Sequence, residues 1–215
     1  MESKMNRQQS GFTLVEIAIV LVIIGLLLGG VLKGQELITQ AKIKNVANDF
    51  NGMSAAIYGY QDRYKRYPGD DNGAGARWTN PAATSGNGDA RVGAASNAGV
   101  FDCSTSTAEN CQFWQHLRLA GFIAGDTATA LSPQNAVGGV LQVQDGALGL
   151  SGLVVCSTNL PGKVANAIDA QFDDGRPETG QIRGTNNSAA LQTNMAADSA
   201  YVDDGSTVYV VCKAL

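Results

Sequence analysis

From Phe12 to Leu32 the chain is apolar on every side, interrupted by one charge, at Glu16. A run of this kind matches the ~20 residues a helix needs to cross the hydrocarbon of a bilayer. Beyond Lys33 the pattern changes. Ile43, Val46, Phe50, Met53, Ile57, Tyr60 and Tyr64 recur at spacings of three and four, which puts them on one apolar stripe. No proline occurs between Phe12 and Tyr67, so the pattern predicts one helix of about 50 residues, roughly 75–80 Å at 1.5 Å per residue. Its first half is apolar all round, and its second half buries a stripe by packing on the domain that follows. The stretch "YPGDDNG" (67–73) stops it, because proline disfavours helical geometry in the residue before it and glycine opens a turn.

Downstream the apolar positions form short blocks. Residues 68 to about 110 read as loop, with glycine and asparagine turns in "NGAGARW", "TSGNGDA" and "VGAASNAG". "CQFWQHLRLAG" reads as a short helix with Phe113, Leu117 and Ala120 on one face and Gly121 just past its end. "AVGGVLQVQ", "LSGLVVC" and "STVYVVC" read as strands by their β-branched content. Between the last two, Pro161 opens a helix presenting Val164, Ile168 and Phe172. The expected fold class is α+β: a long N-terminal helix packed by its second half on a C-terminal antiparallel β-sheet domain with long loops.

Composition refines this picture. At 215 residues and 44% hydrophobic content, the chain has room for one globular domain and one extra element. The 26 glycines and 7% aromatic content favour turns and strands over a helical bundle. The net charge of −4 is unevenly placed: Lys4, Arg7, Lys33, Lys42, Lys44, Arg63, Lys65 and Arg66 precede Pro68, and after it acidic residues outnumber basic ones two to one. An acidic domain without a basic cluster repels phosphate backbones, so nucleic acid is an unfavoured partner.

Cys103, Cys111, Cys156 and Cys212 all follow the apolar run, and none forms a CxxC pair. An even count without metal-ligand spacing points to two disulfides in an oxidising compartment. Three pairings exist in principle. The favoured one joins Cys103 to Cys111, closing a short loop, and Cys156 to Cys212, joining two strand-like runs.

The N-terminus carries the sharpest chemistry. Lys4 and Arg7 in the short leader favour a cytoplasmic N-terminus, with the C-terminal domain on the far side of the membrane. A carboxylate in hydrocarbon costs ~2.5–3.5 kcal/mol on insertion scales, so Glu16 calls for a partner or a function. A basic leader ending in Gly11, then Phe12, Thr13, Leu14 and Glu16, then an unbroken apolar run, resembles the N-terminus of type IV pilins and type II secretion pseudopilins.

That resemblance covers about the first quarter of the chain. It implies cleavage between Gly11 and Phe12 by a prepilin peptidase and N-methylation of Phe12. It further implies handling by an inner-membrane assembly platform and extraction from membrane lipid into a filament of identical or homologous pilin subunits, in the periplasm or at the cell surface. Glu16 is then expected to neutralise the Phe12 amine of a neighbouring subunit, an ion pair that also fixes register. Lys33 stands where many members have a helix-kinking proline; Gly25, Gly29, Gly30 and Gly34 are either weak points or small residues for close packing. The implied division is a leader (1–11), a membrane and filament-core helix (12–33), an amphipathic continuation (34–67) and an exported domain (68–215).

Further candidates are sparse. His116 is the only histidine, and a packed or surface role outweighs a catalytic one. No Ser/His/Asp constellation stands out from spacing, so a membrane-anchored enzyme has little support and no organic cofactor is expected. "DDNG" at Asp70 and "DDG" at Asp173 and Asp203 read as solvated or capping acidic turns. Because hard cations prefer clustered carboxylates, and because major pseudopilins carry calcium in a C-terminal loop, Asp198, Asp203 and Asp204 are candidate calcium ligands. A competing reading is a minor tip pilin that binds a surface, DNA or an exported protein through residues 72–110; the acidic balance argues against DNA, and Trp78 and Arg91 are the residues in that stretch that would suit it.

Overall fold

The computed structural model describes residues 13–93, 103, 108–186 and 196–215. Helix α1 runs Leu14–Tyr64, followed by α2 (Ala74–Arg77), α3 (Glu109–Leu119), strands β1 (Leu141–Ala147) and β2 (Leu150–Pro161), α4 (Gly162–Phe172), β3 (Ile182–Thr185) and β4 (Val208–Ala214). The chain divides into two compact units between Ala41 and Lys42. In the first unit the apolar helix side chains are bare: Leu14 is 91% exposed and Leu26 73%. Among the described residues α1 is the one helix long and apolar enough to cross a membrane.

In the second unit the predicted stripe is buried. Val46, Phe50, Met53, Ile57 and Tyr60 pack in one core with Phe113, Trp114 and Leu117 of α3, Val164 and Ile168 of α4, and the sheet. The four strands are all antiparallel in the order β1-β2-β4-β3. Successive strand residues face opposite ways. Val155 and Val211 therefore join the helix-facing core, whereas Val154, Cys156, Val210 and Cys212 form a second apolar cluster with Leu148 and Leu150. Burial on both faces explains why "LVVC" and "VYVVC" read as continuous apolar runs rather than alternating ones.

The α+β expectation and the long helix agree with this architecture. Four details differ. Strand β2 continues from Cys156 to Pro161 past a bulge between Ser157 and Leu160, where Asn159 adopts φ +61°. Strand β3 lies in a stretch without strand-like character. Helix α2 interrupts the predicted loop. Helix α3 buries not one face but its whole circumference from Asn110 to Arg118, polar side chains included.

Candidate assembly site

Helix α1 begins where it does because Thr13 and Glu16 cap each other. The Glu16 amide donates to Thr13 Oγ1 at 3.3 Å, while the Thr13 amide and hydroxyl donate to Glu16 Oε2 at 2.8 and 2.7 Å. This is a reciprocal capping box, satisfying backbone donors that a helix start leaves without partners. The T-x-x-E spacing before an apolar run carries that signal in the sequence itself. The carboxylate thus has a local role as well as a cost, and the hydrogen bonds described for it land on Oε2 alone. Glu16 also brings negative charge to the helix N-terminus, where the helix dipole favours it.

Around this cap the surface is hydrocarbon. Leu14, Val15, Ala18, Ile19, Val22 and Ile23 line a shallow apolar groove. A Cβ added at Gly25, Gly29, Gly30 or Gly34 would meet nothing within 4 Å. Lys33 pairs with Glu36 at 2.7 Å on an exposed turn, with no break in the helix there. Gly11 and Phe12 lie outside the described residues.

Residues 6–32 match the family model of the prokaryotic N-terminal methylation motif. The chain carries the prepilin-type motif of type IV pilins and pseudopilins. No curated protein matches the chain. The motif match takes in the capping box and the apolar start of α1, and ends before the stripe that the domain buries.

The remaining sequence candidates are mostly occupied by the chain's own groups. Cys156 and Cys212 are register partners on β2 and β4 and form a disulfide; a second one joins Cys103 to Cys111. Asp198 accepts from the Asn186 amide at 2.7 Å, and Asp204 accepts from the Ser206 and Thr207 amides and the Thr207 hydroxyl. Asp203 is exposed. Among the described residues the carboxylates that converge are others: Asp70 with Asp89 and Glu109, and Asp169 with Asp173 and Asp174.

Both groups read as loop anchors. Asp70 accepts the amides of Gly88, Asp89 and Ala90 at 2.7–3.0 Å. Asp169 accepts Tyr201 Oη and the Gly175 amide, and burial raises its carboxyl above the ordinary range although those bonds oppose the shift. Glu109 is likewise raised, first by burial and then by neighbouring Asp70 and Asp89, while the Asn87 amide it accepts pulls the other way.

The "DDNG" turn is not solvated, contrary to expectation. Asp70 and Asp71 are each 1% exposed. Asp71 receives Tyr60 Oη at 2.7 Å, Arg77 Nη1 at 2.6 Å and the Gly73 amide at 2.9 Å. Burial alone would raise this carboxyl, but these donors hold it below its usual value. Of the binding-loop candidates, Trp78 packs beside Tyr64 and Arg77, and Arg91 pairs with Asp145 at 2.6 Å. Both side chains therefore serve the domain's own structure.

Proposed function

We propose that this chain is a prepilin-like structural subunit of a type IV pilus or type II secretion pseudopilus. It is inserted with its N-terminus cytoplasmic, cut between Gly11 and Phe12, methylated at Phe12 and drawn by an assembly platform into a helical filament. The observation that carries this reading is the coincidence of the methylation motif at residues 6–32 with a bare apolar stretch of α1, residues 14–32, whose sole carboxylate, Glu16, sits in the helix's first turn. Cutting after Gly11 leaves the Phe12–Thr13 amide intact, so the capping box outlasts processing. Glu16 is then oriented by Thr13 through Oε2, and its second oxygen is the acceptor for a cationic amine from a neighbouring copy. Each charge is costly alone in an apolar filament core; the pair offsets much of that cost and sets register.

The test is a two-variant comparison in cells that carry the assembly machinery. Gly11→Trp should accumulate uncut precursor and form no filament. Glu16→Ala should be cut and methylated, by mass spectrometry of the N-terminus, yet fail to assemble. Normal filaments from Gly11→Trp would overturn the prepilin reading; normal filaments from Glu16→Ala would overturn the charge-pairing account alone.

A further inference from the structure

Helix α3 buries a histidine that assembly does not use. His116 has 0% exposure, and both ring nitrogens meet backbone. The Gly69 amide donates to Nδ1 at 2.9 Å, and Nε2 lies 2.8 Å from the Thr84 carbonyl oxygen. An amide can only donate and a carbonyl can only accept, so Nε2 bears the proton and Nδ1 offers its lone pair. The ring is therefore neutral, in one tautomer, and staples two distant stretches of the chain onto α3.

Both stretches lie close against neighbouring backbone. Gly69, just past the end of α1, has φ +84°, and a Cβ there would lie 2.2 Å from the Glu109 carbonyl oxygen on α3. A Cβ at Gly86 would come as close to the Gly69 carbonyl oxygen and the Asp70 backbone. A second proton on the imidazole has one place to go, Nδ1, where it would point straight at the Gly69 N–H.

We propose that His116 is an acid-sensitive latch: closure of residues 69–84 on α3 and protonation of the imidazole exclude each other. The surroundings support this. From α1, Tyr60 stacks near-parallel at 6.4 Å, and Trp78 packs at 6.0 Å. The charged neighbours are Asp71, which favours an imidazolium, and Arg77, which opposes it; these two are paired with each other at 2.6 Å. Tyr60 donates its hydroxyl to Asp71, and burial raises its pKa so that it stays neutral. Burial dominates the balance and holds the imidazole below its ordinary value, although the Thr84 bond acts the other way.

The open form, with the ring in water, takes up its proton near the ordinary value of about 6.5. The closed form does not, so its stability relative to the open form is complete above that pH and is lost as pH falls. The opening equilibrium should grow by up to tenfold for each unit below about 6.5 until the closed form itself protonates. Opening uncovers Tyr60, in the last turns of α1, and parts its hydroxyl from Asp71. The latch is independent of how the N-terminus is used.

The test is nitrogen-15 NMR of the full chain in detergent micelles, where the single histidine makes the ring signals unambiguous. At pH 7.5 the ring should show the Nε2–H tautomer. Between pH 6.5 and 5 the protection factor of the Gly69 amide against exchange should fall about 15-fold in all, with the slope approaching tenfold per unit at the acid end. His116→Gln keeps a donor and an acceptor without a titrating group, and should flatten that dependence. An Nδ1–H tautomer at pH 7.5, Gly69 protection that ignores pH, or an unchanged slope in His116→Gln would each overturn the latch. If His116→Gln does not fold, the tautomer and the Gly69 profile of the unaltered chain decide the matter.

Discussion

The two halves of α1 share one unbroken helix and opposite fates. From Leu14 to Leu32 large apolar side chains stand 46–91% exposed, whereas Phe50, Ile57 and Tyr60 are 0–1% exposed. Both halves are rich in apolar residues; what differs is angular distribution. The second half confines its apolar residues to a stripe, and one domain can cover a stripe. The first half is apolar all round, so no single face of a globular domain could cover it, and only a surrounding medium or a ring of neighbouring helices can. The chain thus folds one part of its helix by itself and leaves the other to be completed by a bilayer or by copies.

The largest effect should come from exchanging equivalent truncations between the halves. Phe50→Ala removes a fully buried ring that meets Phe172 edge-on at 6.2 Å. It should cost about 3–5 kcal/mol. Leu21→Ala, at a position 64% exposed, should change domain stability by less than about 0.5 kcal/mol. Denaturant unfolding of the full chain in micelles, followed by the fluorescence of Trp78 and Trp114, reads both. A Leu21→Ala loss comparable to that of Phe50→Ala would show that the first half is already covered by something in the subunit.

Next in size are the disulfides, which sharpen the comparison within the domain. The Cys156–Cys212 bridge has a sequence separation of 56 and Cys103–Cys111 one of 8. On the chain-entropy account, replacing the first pair by alanine should cost about 4 kcal/mol and the second about 2.5 kcal/mol. The midpoint shift in urea at unchanged slope measures each. Equal losses would mean that local packing, not loop closure, sets the value of these bridges.

How much of this was readable in advance follows from where the determining interactions lie. The stripe from Ile43 to Tyr64 and the apolar runs that end in Cys156 and Cys212 were legible because the first follows helical periodicity and the others are rich in β-branched residues. Strand β3, "IRGT", was not: it has one large apolar residue and a glycine. It is held by its pairing to β4 and by Asp173, which accepts the Ile182 amide at 3.2 Å. "DDNG" and the two "DDG" turns look alike as strings. Partners far away in the chain decide that Asp70 and Asp71 are buried while Asp173, Asp174, Asp203 and Asp204 are exposed. The polar side chains of α3 were illegible for the same reason. Arg118 is 8% exposed because the carbonyls of Thr129 and Leu131 receive its guanidinium. At the N-terminus both signals are written locally, the methylation motif within residues 6–32 and the capping box in Thr13 and Glu16.

The smallest expected effect divides the two halves most finely, because the same substitution should change sign along one helix. A Cβ at Gly59 would come within 2.6 Å of the Phe122 ring, so Gly59→Ala should destabilise the domain by about 1–2 kcal/mol despite alanine's better helix propensity. At Gly25 a Cβ would meet nothing within 4 Å, and Gly25→Ala should firm the isolated helix by about 1 kcal/mol. Helicity and exchange rates of the subunit in micelles check the second claim, and filament yield then separates two roles for Gly25. If Gly25 serves close packing between copies, the alanine variant should be more helical as a subunit and assemble poorly. If Gly25 is a point where the helix loosens, filaments should form, with the helix around residue 25 more protected from exchange than in the unaltered chain.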